Sequence, residues 1–225
     1  MQKMVRFYMK FYAYYHSTAA YRIRIALNYK NINHELVSID LMAGKHHDES
    51  YKKHNRQARV PTLDDDGFEI GQSSAILEYL EEKYPEPALL PHDIKKRAWI
   101  RYLSQIIISD IHPLNNSGVL NFLKNLLNQD QSKIQLWYHH WVKCGFDALE
   151  AILTDHPDCK SFCYGDTPTF ADICLIPQVF NAYRFGFPMN NYPTLRRINE
   201  HCLLLPYFEK ARPENQTDCP LDEKK

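Results

Sequence analysis

The chain has 225 residues, of which 44% are hydrophobic, with 15 tyrosines and 11 phenylalanines, enough for two small domains that share an apolar core. Its 27 basic and 27 acidic residues cancel, so no broad field gathers on phosphate backbones or anionic lipid, and nucleic-acid and membrane partners are excluded; any anion site must be local. The apolar runs are too short to span a bilayer, and the opening Met1-Gln2-Lys3-Met4-Val5-Arg6 lacks the apolar stretch and cleavage site of a secretory signal, so the cytoplasm is the expected compartment.

Residues 6–14 are aromatic-rich and read as a strand. Ser17-Thr18 then precede a helical run in which Ala20, Ile23 and Leu27 share one stripe, with the hydroxyl pair at the N-cap and Asn31 at the stop. Residues 34–41 alternate and predict a second strand, and 44–59 predict a polar loop carrying a short helix. Val60-Pro61-Thr62-Leu63 opens a third strand, residues 64–67 form a hairpin turn closed by Gly67, and Phe68-Glu69-Ile70 returns as a fourth. A helix over 73–84 follows, with Ile76, Leu77 and Leu80 inward. The order is β-α-β, a hairpin, then α, with the first two strands parallel through a right-handed crossover.

Pro85-Glu86-Pro87 ends that helix, and 87–92 form a linker whose Leu89-Leu90 tuck onto a neighbouring domain. Beyond it, 94–126, 132–155, 169–184 and 194–211 carry apolar residues at helical spacing. Residues 212–225 are polar and predict a mobile tail. The fold class is therefore α/β plus all-α: a thioredoxin-like domain over 1–86 and a helical-bundle domain over 93–225. Thr169 and Asp172 stand at capping-box spacing and read as structural. The six cysteines lie in the second half without framework spacing and read as free or buried thiols. His139-His140 with Cys144 and the pair His46-His47 read as surface, and no metal site is assigned.

Three local features of the first domain suit one ligand. Ser17-Thr18 offer hydroxyls, backbone N–H groups and a helix dipole to an anion. Val60-Pro61 is an X-Pro bond where a cis peptide is cheap, and cis would turn the Val60 backbone outward to pair with an extended peptide. Gln72-Ser73 open a helix and offer an amide, a hydroxyl and orphan N–H groups to a carboxylate. A short acidic peptide with a thiol fits all three.

The segment Tyr14-Tyr15-His16-Ser17-Thr18-Ala19-Ala20-Tyr21-Arg22-Ile23-Arg24-Ile25-Ala26-Leu27 resembles the first-helix signature of the zeta class of the glutathione transferase superfamily. So do Asn55 with Val60-Pro61-Thr62-Leu63, Gln72-Ser73-Ser74-Ala75-Ile76, His112-Pro113-Leu114-Asn115-Asn116, Thr169-Phe170-Ala171-Asp172 and Asn181-Ala182-Tyr183-Arg184-Phe185. The resemblance spans nearly the whole chain. It implies glutathione as cofactor, a homodimer, a small anionic maleyl-type substrate, and cis–trans isomerisation of maleylacetoacetate to fumarylacetoacetate in tyrosine and phenylalanine catabolism. Isomerisation of maleylpyruvate, conjugation of small electrophiles or haloacids, and a non-enzymatic binding module are the alternatives.

Carried over by residue, the resemblance makes Ser17 the hydroxyl that bonds the glutathione sulfur, with Thr18 and Ala19 following it in the binding loop. His46 or His47 reaches the glycyl end, Val60 pairs with the cysteinyl unit, and Gln72 and Ser73 take the γ-glutamyl end. His112 and Asn116 follow in the helical domain. Arg184, with Arg22 as a second cation, steers the substrate's carboxylate, whereas Arg24 reads as a solvated helix charge. The sequence departs from the class at Ala19, where the signature has Cys, at Thr18 for a second Ser, and at Arg56 for the usual Pro.

Overall fold

A computed structural model describes residues 9–223. By its contacts the chain forms two compact units, one of Met1–Pro87 with Leu205–Lys225 and one of Ala88–Leu204.

The first unit contains β1 (Met9–Ala13), α1 (Thr18–Tyr29), β2 (Glu35–Ser38), a 3-10 turn at Lys45–His47, α2 (Glu49–Lys52), β3 (Thr62–Asp65), β4 (Phe68–Gly71) and α3 (Ser73–Lys83). The sheet order among the described residues is β2-β1-β3-β4. β1 runs parallel to β2 and antiparallel to β3, which pairs antiparallel with β4. The parallel pair needs a crossover, and α1 supplies it. Phe11 and Leu63, opposite one another on β1 and β3, are fully buried and centre the core. Of the strand expected over 6–14, residues 6–8 lie outside the described residues. The second strand ends at Ser38 because the Asp40 carboxylate turns to accept the N–H groups of Met42 and Ala43. The hairpin is tighter than expected. β3 runs on to Asp65, so only Asp66 and Gly67 turn, both at positive φ, as a two-residue loop with primed twist requires.

Burial on α1 extends well beyond the predicted stripe, from Ala20 through Leu27. The reason is a second partner: α10 (Pro206–Glu209), from the far end of the chain, packs on α1 as α3 does. The helix expected over 194–211 therefore stops early, as α9 (Pro193–Leu203), and Pro206 starts a new one. Within the described residues, 212–223 is not the mobile tail that the polarity of 212–225 suggested. Pro213–Asn215 is a 3-10 turn, and Pro213 and Cys219 are buried. Asn215 donates to Glu209, while Gln216 donates to the Lys210 and Arg212 carbonyls. Polar side chains spent on the local backbone order the segment, and it groups with the first unit although the helical domain was expected to own it.

The second unit contains α4 (Ile94–Gln105), a π-helical segment (Ile106–Ile111), α5 (His112–Asn115), α6 (Ser117–Asn125), α7 (Gln131–Asp155), α8 (Phe170–Arg184) and α9. The single helix expected over 94–126 is thus broken. Pro113 brings no N–H to the helical ladder, and Asn116 begins a new helix by accepting the Val119 N–H. α7 passes the π segment closely at Gly145, where a Cβ would overlap the Ile111 side chain. Leu89 and Leu90, read as linker, are buried within this unit, each worth about 1.5–3 kcal/mol. All six cysteines are free, four of them buried. Among the described residues, no helix is long and apolar enough to cross a membrane.

Candidate functional site

Ser17 is the N-cap of α1, as its position before the helical run predicts. Its backbone is extended, and its Oγ accepts the Ala20 N–H at 3.2 Å. That bond uses a lone pair and leaves the hydroxyl proton to be donated, at the helix end where orphan N–H groups and the dipole favour negative charge. Ser17 and Ala19 are half-buried and Thr18 is buried, so the methyl of Ala19 contributes shape but no polar group.

Arg22 is 1% exposed, and its Nη1 donates to Ser73 Oγ at 3.1 Å, joining α1 to the start of α3. Burial places its positive charge beneath Ser73 rather than at the surface. Arg24 also departs from expectation. It is not a solvated charge but 4% exposed, donating from Nε to the Ala211 carbonyl at 2.8 Å and from Nη2 to the Tyr15 carbonyl at 2.9 Å. Burial lowers its pKa to about 10.

The loop before β3 is braced from within. Val60 is half-buried and its bond to Pro61 is cis. Buried Asn55 donates from Nδ2 to the Arg59 carbonyl at 2.9 Å and to Thr62 Oγ1 at 3.0 Å, and accepts the Gln57 N–H at 2.9 Å. Tyr51 donates its hydroxyl to the same Arg59 carbonyl at 2.6 Å. Exposed Gln72 donates from Nε2 to Gln57 Oε1 at 2.9 Å. Gln57 had no sequence signal, because it sits in a polar loop and its partner is fifteen residues away.

Gln72 stands at φ 65°, a conformation costly for a side chain and kept where the surroundings demand it. Gln72→Gly is therefore expected to raise stability by about 1 kcal/mol, once the entropy of glycine is offset against the relieved strain, while removing the amide to which the family resemblance assigns the γ-glutamyl end. Chemical denaturation beside calorimetry with glutathione reads both signs.

His46 lies in the 3-10 turn with its ring 3.9 Å from that of His47. Its Nδ1 is buried without a partner among the described residues, and burial, with the neighbouring imidazole, lowers its pKa below 6.5. At neutral pH it is an uncharged ring.

In the second unit, Asn116 spends its side chain on capping: its Oδ1 accepts from Val119, and its Nδ2 donates to the Pro113 carbonyl at 2.6 Å. His112 opens α5 and is half-buried. Arg184 ends α8 exposed, its guanidinium 5.6 Å from the Phe185 ring centre, and it lines a cavity of about 360 Å3 with Phe185, Tyr138, Gln131 and Gln135. Tyr138 donates to Asn181 Oδ1 at 2.5 Å, and burial raises its pKa against the opposing pull of Arg184. Tyr138, Gln131 and Gln135 were missed because their helical spacing reads as packing or surface. Within the first unit, the Arg22–Ser73 and Gln72–Gln57 bonds tie α1, the β3 loop and α3 into one network. His112, Asn116 and Arg184 belong to the second.

The profile of the glutathione S-transferase N-terminal domain matches residues 11–88, and that of the C-terminal domain matches 145–198. The maleylacetoacetate isomerase of Pseudomonas aeruginosa is 41% identical over 215 residues, 94% of this chain and 99% of that protein. The holo structure of a maleylpyruvate isomerase, a bacterial zeta-class glutathione S-transferase, superposes with a TM-score of 0.92 at 40% identity, covering 94% of this chain and all of that one. Maleylacetoacetate isomerase from Methylobacterium extorquens, solved with malonate and glutathione, gives 0.90 at 37% identity over 94% of this chain and 99% of that one. This chain belongs to the zeta class of the glutathione S-transferase family.

Proposed function

We propose that this chain is a glutathione-dependent isomerase that converts maleylacetoacetate to its trans isomer, fumarylacetoacetate. The observation that carries the reading is Ser17, half-buried at the N-cap of α1 with its Oγ accepting a backbone N–H and its hydroxyl proton available to a sulfur. The residues present fit glutathione: a hydroxyl at a helix terminus for the thiol, the Val60 backbone for the cysteinyl unit, Gln72 and Ser73 over buried Arg22 for the γ-glutamyl carboxylate, and a neutral His46 for the glycyl end. When bound, glutathione supplies a sulfur nucleophile that adds reversibly to the activated cis double bond.

The chain's own work is electrostatic. The Ser17 O–H and the α1 terminus favour the charged sulfur over the neutral thiol, which otherwise dominates near neutral pH. Thr18 and Ala19 shape the loop. Arg184 takes a carboxylate of the substrate, in a cavity whose size suits a small acid. His112 and Asn116 complete the assignment, Asn116 by holding the start of α6. Maleylpyruvate is the second reading, favoured by the similarity to a solved maleylpyruvate isomerase. A homodimer and a cytoplasmic location belong to the same proposal and rest on the family resemblance. The test is turnover of maleylacetoacetate followed by ultraviolet absorbance. Isomerisation that requires glutathione without consuming it supports the reading, and stoichiometric consumption or glutathione-independent turnover refutes it.

A further inference from the structure

The turn that delivers Ser17 is gripped by the far end of the chain. The Ser17 N–H donates to the Tyr14 carbonyl at 2.9 Å, closing a turn through Tyr15 and His16. Inside it, the Tyr15 N–H donates to Asp218 Oδ2 at 3.0 Å, and the Tyr15 carbonyl accepts from buried Arg24 at 2.9 Å. The Tyr15 hydroxyl donates to Glu223 at 3.1 Å, and His16 Nε2 lies 3.3 Å from the other Glu223 oxygen. The same Asp218 oxygen accepts the Ser38 hydroxyl at 3.0 Å, at the end of β2. The tail is itself anchored, because Arg24 holds the Ala211 carbonyl while Ala211 and Cys219 are buried.

We infer that Asp218 is a positioning residue for the reaction, fixing from the C-terminal segment the turn that aims the Ser17 hydroxyl. This rests on the reading of Ser17 given above. A carboxylate accepting a backbone N–H makes a bond about twice as strong as a neutral one, and Arg24 clamps the other face of the same residue. The aim of a donor matters because misplacement on the order of 1 Å costs up to about a hundredfold in rate. The α1 cap does not involve Asp218, so its removal loosens the turn without unfolding the helix.

The experiment compares Asp218→Ala, Asp218→Asn, Ser38→Ala and Ser17→Ala in the full chain. Readouts are kcat, the thiol pKa of bound glutathione from thiolate absorbance, and the affinity for S-methylglutathione, which has no thiol to aim. Asp218→Ala is expected to lower kcat about tenfold and raise the thiol pKa, with S-methylglutathione affinity changed by less than about twofold. Asp218→Asn keeps an oxygen acceptor and is expected to recover most of the rate, while Ser38→Ala, which removes the other bond to the same oxygen, shifts the pKa upward by less. An unmoved thiol pKa in both Asp218→Ala and Ser38→Ala overturns the inference, as does a loss of kcat matched by an equal loss of S-methylglutathione affinity. Ser17→Ala separates the two failures. If it retains full rate, the reading of the site falls and the inference with it; if it loses rate while Asp218→Ala does not, the inference alone falls.

Discussion

Replacing Ser17 with alanine is expected to cut turnover by about a hundredfold or more, the usual cost of removing a preorganised donor aimed at developing or fixed negative charge. The loss corresponds to about 2.7 kcal/mol of transition-state stabilisation, and it has a structural counterpart. Ser17 Oγ also caps α1 by accepting the Ala20 N–H, so the same change costs about 1 kcal/mol of stability. Two further variants separate the effects. Ser17→Thr keeps both the cap and the O–H and retains much of the rate. Ser17→Asp keeps the cap but sets a negative charge beside the sulfur, so it is expected to be folded and slower than alanine. Steady-state kinetics beside thermal melting checks this. Full activity in Ser17→Ala with glutathione still bound removes the assigned role.

Asp172→Ala is expected to destabilise the helical unit by about 3–5 kcal/mol, the largest single effect on folding among the changes considered. Its carboxyl is fully buried and accepts the Cys163 N–H at 2.7 Å and the Thr169 N–H and hydroxyl at 2.8 Å each. Burial pushes its pKa up, and these donors pull against that. Alanine strands two buried backbone N–H groups and dissolves the capping box of α8. Asp172→Asn is expected to be costly too, since its amide would face donors. All three tryptophans, Trp99, Trp137 and Trp141, lie in the helical unit, so urea unfolding followed by their emission reports the right part of the molecule. A change in unfolding free energy below about 1 kcal/mol would refute the argument.

Local chemistry was legible in the sequence. The β-α-β-β-α order, a hairpin turn closed at Gly67, the Ser17 cap and the Thr169/Asp172 box each depend on residues within a few positions of one another. What escaped depends on partners far along the chain. Arg24 reads as a surface charge until Ala211 is brought beside it from 187 residues away. The segment after Arg212 reads as solvated because the groups that hold it include Tyr15 and Ser38, both far back along the chain. The break in the helix over 94–126 was hidden for another reason. Apolar spacing continues through it, whereas Pro113 and Asn116 interrupt the backbone bonding. The roles proposed for Val60, Gln72 and Ser73 rest on their joint placement and on family resemblance, and the bond by which Gln57 holds the Gln72 amide had no sequence signal at all.

The first unit is discontinuous, with its strands at the start of the chain and its last contacts at the end. On the ribosome the sheet and its helices emerge early, but Ala211 and Asp218, which bond Arg24 and Tyr15, lie 187 and 203 residues further along the chain. The nascent protein therefore carries an unfinished first unit while the whole helical unit is made, and the turn ahead of Ser17 acquires its final partners only after Leu204 has been passed.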